Sequence, residues 1–262
     1  MKSVRRMMLA MGLLCLLALE VQATNPKKEY NVIFIGNSIT QGAQHPEPLL
    51  TAPPVQAAGM LAKMLKAEVY YKNCGVSGAT TSDFRPVPPE KGMHCFERVV
   101  KAINELKQQH PAAPFVFSVM LGTNDSACTR TTDAPVSIEL YESNLRVIMA
   151  ELRKLAPGCL IVLHRPIYYS PNTFNGAMYL QEGLDRMNSY QPVLEKLIAE
   201  SNDVYKGSFE AYDFFEKNHD KMCWPEKGKA GIFYLHPNVK GAKVLAKYWA
   251  KEVTKACDAY FE

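Results

Sequence analysis

The chain of 262 residues is 47% hydrophobic, 10% aromatic and 21% charged, which excludes a disordered, collagenous or fibrous protein and leaves room for one large domain or two small ones. Its 30 Lys and Arg against 26 Asp and Glu give a formal charge of +4, half of it from Lys2, Arg5 and Arg6 set against Glu20. The other lysines are interspersed with acids, so the concentrated basic face that a nucleic-acid partner requires is missing, and none is expected.

Residues 1–23 carry the three parts of a secretory signal peptide. Lys2, Arg5 and Arg6 form a positive start, residues 7–19 an apolar run, and Val21-Gln22-Ala23 a cleavage site with small side chains. The run is too short for a bilayer, which takes about 20 residues, and no second long one follows. The expectation is an exported protein, periplasmic or secreted, without membrane attachment once residues 24–262 are released. Those residues keep six cysteines, Cys74, Cys95, Cys128, Cys159, Cys223 and Cys257, a number that permits up to three disulfides in an exported chain. Cys159 lies in the apolar run Cys159-Leu160-Ile161-Val162-Leu163 and reads as a buried free thiol. There is no CxxC pair, and His45, His94, His110 and His219 show no HxH or HExxH spacing, so neither metal nor cofactor is expected.

Short apolar runs at residues 31–35, 68–72, 115–121 and 160–164, with a weaker one at 204–205, read as strands buried on both faces. Helical spacing lies between them. Val99, Ile103 and Leu106 share one face, as do Tyr141, Leu145, Ile148, Leu152 and Leu155 over residues 137–155. The last helix, residues 239–260, repeats the spacing with Ala242, Leu245, Trp249 and Val253. Repeated β-α-β units imply a parallel sheet covered by helices on both faces, in a single domain. Irregular stretches at 41–54, 80–92, 126–135, 168–179 and 222–232 are expected, mostly at the carboxyl edge of the sheet, where ligands bind.

Four segments carry candidate chemistry. The first strand runs into Gly36-Asn37-Ser38, where a serine past a tight turn presents its hydroxyl at the top of the sheet; a plain N-cap serine reads equally well. The second runs into Asn73-Cys74-Gly75-Val76-Ser77-Gly78, whose glycines let the backbone approach a ligand. The third ends in Gly122-Thr123-Asn124-Asp125, where an Asn amide can donate to a developing oxyanion or simply close an Asx turn. His236-Pro237, before the last helix, offers a general base or a surface histidine.

Together, in this order and spacing, the four segments resemble the blocks of the SGNH hydrolases, the GDSL esterase and lipase family, and among them exported bacterial carbohydrate O-acetylesterases. The resemblance implies a three-layer α/β/α sandwich with a parallel, flavodoxin-like central sheet. It implies Ser38 as nucleophile, His236 as its base, and an oxyanion hole from the Ser38 and Gly75 N–H groups and the Asn124 amide. The implied activity is removal of small acyl groups, acetyl foremost, from a carbohydrate through an acyl-enzyme on Ser38, the substrate being a small-molecule or glycan ester. Asn37 departs from the family's usual Asp but keeps its acceptor oxygen. A larger departure is Phe233, three residues before the histidine, where the family has the Asp that orients it; Glu226 is the first candidate to substitute, ahead of Asp220 and Asp213. Arg85 and His164 are further candidates for substrate contact, and Tyr168, Tyr169, Phe174 and Tyr179 for stacking on sugar rings. Two other readings stand beside the esterase: a lysophospholipase or thioesterase of the same fold, and a glycan-binding module with weakened catalysis.

Overall fold

The computed structural model describes residues 28–261; the signal peptide expected at residues 1–23 lies outside them. Five strands, β1 (Glu29–Gly36), β2 (Glu68–Gly75), β3 (Phe115–Met120), β4 (Leu160–Leu163) and β5 (Val204–Lys206), pair in parallel in the order β2-β1-β3-β4-β5. This is the flavodoxin-like order, with β1 inside the sheet and a switch point beside it. The connections carry α1 (Ser38–Gln41), α2 (Pro48–Thr51) and α3 (Pro53–Leu65) before β2, α4 (Phe96–Gln109) before β3, and α5 (Ile138–Leu155) before β4. After β4 come α6 (Leu180–Ser189) and α7 (Gln191–Ala199), then β5, α8 (Glu210–Met222) and the final α9 (Val239–Phe261).

The alternation of side chains along each strand builds the layers. Val32 and Phe34 of β1, with Val116 and Val162, face Leu61 of α3, Phe215 of α8 and Trp249 of α9. Ile33 and Ile35, with Phe117 and Ile161, face Ile103 of α4, Leu145 of α5 and Leu194 of α7. A strand covered on both sides must be apolar at every position, and burying each such side chain is worth about 1.5–3 kcal/mol. The result is the three-layer α/β/α sandwich expected from the sequence.

Three local expectations need correction. Residues 68–72 are not buried on both faces: β2 is an edge strand, and only Cys74 and Gly75 at its end are buried. Residues 41–54 are not wholly irregular, since α2 lies within them and Pro53-Pro54 open α3; proline suits the first helical turn, whose N–H groups have no partner to lose. Residues 222–232 form most of an antiparallel hairpin, β6 (Cys223–Gly228) with β7 (Gly231–Pro237). Pro225 and the polar run around the turn hide its strand character. The six cysteines of the described residues are all free thiols, and burial pushes those of Cys74, Cys95 and Cys257 up to about 12. Such thiols are inert at neutral pH.

Candidate active site

At the carboxyl end of β1 the chain turns into α1 through Asn37, whose Oδ1 accepts the Ile39 N–H at 3.0 Å. The cap satisfies one of the orphan donors of the helix start and fixes Ser38 as its first residue. An Asp would supply the same acceptor, which is why Asn serves here. The Ser38 N–H has no acceptor among the described residues and is free for a ligand.

β7 brings His236 to the same point from the other end of the chain. Its Nε2 is 2.9 Å from Ser38 Oγ and its Nδ1 is 2.8 Å from Glu226 Oε1. A carboxylate only accepts, so Nδ1 carries the proton and Nε2 is left to take one from Ser38. Glu226 Oε1 also accepts the His236 backbone N–H at 3.3 Å, and its Oε2 accepts from Gln44 Nε2 at 3.4 Å. The hairpin explains how a glutamate reaches this place: Glu226 sits on β6 directly across from Phe233 on β7. The acid arrives from the neighbouring strand, while Phe233 is itself a buried core residue. Asp213 lies by Arg165 instead, 3.8 Å away.

His45 secures this corner from the α1–α2 connection. Its Nε2–H donates to Pro237 O at 3.0 Å, and Nδ1 lies 2.9 Å from Thr51 Oγ1. Burial, the largest influence on it, holds its pKa below the usual value, with His236 adding in the same direction.

The Asn124 amide is held at both ends. Oδ1 accepts from the Tyr179 hydroxyl at 2.7 Å and Nδ2 donates one hydrogen to Ala79 O at 2.8 Å, leaving its second hydrogen without an acceptor among the described residues. Below it the Asp125 carboxylate accepts from Thr81 N–H and Oγ1, and burial raises its pKa to about 6.

The two glycines of the second segment divide differently from the expectation. Gly75 is occupied: its N–H donates to Asn73 Oδ1 at 2.9 Å, and it does not line the cleft. Glycine is needed there for closeness, since a Cβ would lie 2.3 Å from Gln41 N. Gly78, at φ 80°, does line the cleft, and no described group accepts its N–H. Nothing in the spacing distinguishes two glycines three residues apart.

These groups open onto a cleft of about 830 Å³. Ser38, Gly78, Asn124 and His236 line it, with Gln44, Ser77, Thr131 and Thr132 on its polar walls. Arg85 is not among the lining residues; it caps a 3-10 turn at Ser82–Phe84, with its Nε buried and unpartnered. His164 is not there either. It is a core histidine whose Nδ1 accepts from Ser208 N–H and whose Nε2 donates to Ser118 Oγ, both at 2.9 Å. Tyr168, Tyr169 and Tyr179 are likewise buried, and Phe174 carries Lys229 over its ring. The loop aromatics therefore pack the loop, and of the four only Tyr179 touches the cleft. Arg130, which no sequence motif singles out, does line it. Among the described residues no group of three or more His, Cys, Asp or Glu could hold a metal ion.

A family model described as GDSL-like lipase/acylhydrolase matches residues 34–244. Among solved structures, the chain is similar to an acetylxylan esterase from Geobacillus stearothermophilus, with 22% identity and a TM-score of 0.56 over 87% of this chain and 95% of that one. It is also similar to a lipase/acylhydrolase from Enterococcus faecalis, with 18% identity and a TM-score of 0.53 over 86% and 96%. At these identities the likeness is one of fold. No curated protein sequence matches the chain significantly.

Proposed function

The chain belongs to the GDSL-like lipase/acylhydrolase family, and from that premise we propose that it is a serine esterase removing acetyl groups from a carbohydrate. The observation that carries this reading is the unbroken path from Glu226 through His236 to Ser38 Oγ, with contacts of 2.8 and 2.9 Å. Ser38 Oγ attacks the ester carbonyl as its proton passes to His236 Nε2. The carbonyl oxygen, now an anion, takes hydrogen bonds from the Ser38 and Gly78 N–H groups and the free Asn124 amide hydrogen. The intermediate collapses with breakage of the C–O bond to the sugar, whose oxygen takes the proton from His236 and leaves as a hydroxyl. Water then attacks the acyl-enzyme with His236 again as base, releasing acetate and restoring Ser38. Gly78 takes the part first expected of Gly75, because its N–H is free.

Polar walls and small apolar groups such as Ala43 and Ala177 suit a sugar bearing a short acyl chain better than a fatty tail. The acetylxylan esterase among the similar folds points the same way. Export of residues 24–262 as one catalytic domain, after loss of the segment 1–23, belongs to the same proposal. A fluorophosphonate probe should label Ser38 by mass spectrometry, and p-nitrophenyl acetate should be turned over at least about tenfold faster than the octanoate. Octanoate preference would favour the lysophospholipase or thioesterase reading. No labelling together with no turnover would favour a glycan-binding module.

The anchoring of Asn124 gives a graded expectation. Asn124→Ala removes an oxyanion donor and should lower kcat about 10²–10³-fold. Tyr179→Phe keeps the amide but frees its orientation, for a loss of about tenfold, the worth of one buried hydrogen bond. Equal kcat in all three proteins would remove Asn124 from the oxyanion hole.

A further inference from the structure

Among the described residues, Arg130 is the only permanently charged side chain on the walls of the cleft. Elsewhere in the described residues Arg146, Arg153, Arg165 and Arg186 each meet a carboxylate; Arg85, Arg98 and Arg130 meet none, and of these three only Arg130 lines the cleft. The acids of the site are already engaged, Glu226 by His236 and Gln44, and Asp83 by Thr80, Met93 and Thr132. The segment that carries Arg130 is pinned on both sides. Thr129 bridges to Met178, Thr131 Oγ1 donates to Asn124 O at 2.8 Å, and Thr132 Oγ1 donates to Asp83 Oδ1 at 2.7 Å. Arg130 itself has φ 71°, a left-handed conformation that a non-glycine residue adopts only at some cost. Through Thr131 and the main chain of Asn124, the backbone of Arg130 is thus tied to the same block that presents the oxyanion donor.

We propose that Arg130 is a specificity-determining residue that receives a carboxylate on the substrate, so that the preferred ester is an acetylated sugar acid. This rests on the esterase reading above and names its substrate class. A single guanidinium matches a single negative charge, and its planar fork matches the two oxygens of a carboxylate. The hydroxyl and amide groups beside it, Thr131, Thr132, Ser77 and Asn175, suit the neighbouring sugar hydroxyls. Because Arg130 is exposed, the preference it confers is moderate and weakens with salt.

The test uses an O-acetylated methyl hexuronoside as the free acid and as its uronamide, which has the same shape without the charge. Wild type should show a kcat/KM about tenfold higher on the acid than on the uronamide. Arg130→Gln should bring that ratio close to one, and Arg130→Lys, which keeps the charge without the fork, should fall between. Ser38→Ala supplies a readout independent of turnover: it should bind the acid more tightly than the uronamide, with an advantage that shrinks at high salt and disappears in Ser38→Ala/Arg130→Gln. Equal values for acid and uronamide in wild type and in Ser38→Ala, or a preference that survives Arg130→Gln, overturns the proposal. Turnover of both compounds without preference leaves the esterase reading standing while the carboxylate site falls. Binding preference dependent on Arg130 without any turnover does the reverse.

Discussion

Ser38→Ala is expected to lower kcat on p-nitrophenyl acetate by about 10⁶, and Glu226→Gln by about 10⁴. The two act on one proton path. Without Oγ there is no acyl-enzyme, and only the oxyanion donors and binding remain. With Gln at 226, Oε1 can still accept the Nδ1 proton, but the negative charge that stabilises the imidazolium is gone. Because the groups work as a unit, Ser38→Ala/Glu226→Gln should be no slower than Ser38→Ala alone. Steady-state kinetics of the three variants check this. A Glu226→Gln enzyme within a few fold of wild type would mean that another group orients His236. Restoring an acid at the family's usual place does not offer a rescue here. Phe233 is buried, and its ring lies where a Cβ on Gly228 would come within 2.8 Å. Phe233→Asp would open a cavity and strand a charge in it, at a cost of about 3–5 kcal/mol or more. Glu226→Gln/Phe233→Asp should therefore melt lower than Glu226→Gln and regain no activity.

The parts of this molecule that are legible in its sequence are those where one physical requirement dominates. β1, β3 and β4 lie inside a sheet covered on both faces, so each must be a continuous apolar run, and the run is visible. Ser38 and Asn124 come shortly after such strands, at the carboxyl edge where ligands bind in an open parallel sheet. Glu226 is legible only through the absence of an acid at Phe233, and its place depends on a hairpin that Pro225 disguises. His164 also follows a buried strand, yet it points into the core, because Ser118 and Ser208 satisfy both of its nitrogens there. The chain position alone does not carry that information. Gly75 and Gly78 differ in what packs against them, Gln41 backbone in one case and open cleft in the other, and only Gly78 has a positive φ. Arg130 is selected by its place on the cleft wall with no carboxylate beside it, a property of three-dimensional arrangement.

His164 also sets the largest expected effect on stability, read through pH. It is wholly enclosed, its ring 5.4 Å from that of Trp249, and burial lowers its pKa to about 3 from 6.5. The folded pKa lies below the unfolded one, so on acidification the unfolded chain takes the proton first. The associated stability is intact above about pH 6.5 and is lost as the pH falls toward 3, by on the order of 5 kcal/mol in total. Asp125 works in the opposite direction. Burial raises its pKa to about 6 from 3.8, so the folded state holds a proton that the unfolded chain has given up. That difference weakens the fold as the pH rises from 3.8 to 6, on the order of 3 kcal/mol, and acidification returns it. Over the range where both act, wild type should therefore show little change in stability, followed by a fall below about pH 4. His164→Gln removes one side of this balance. Relative to its own value at neutral pH, the variant should gain stability on acidification to about pH 4, measured as urea midpoints across the range. Its absolute loss at neutral pH, from imperfect replacement of the Ser118 and Ser208 contacts, does not enter the comparison. Parallel pH profiles for wild type and His164→Gln would mean that the imidazole is not held neutral in the core.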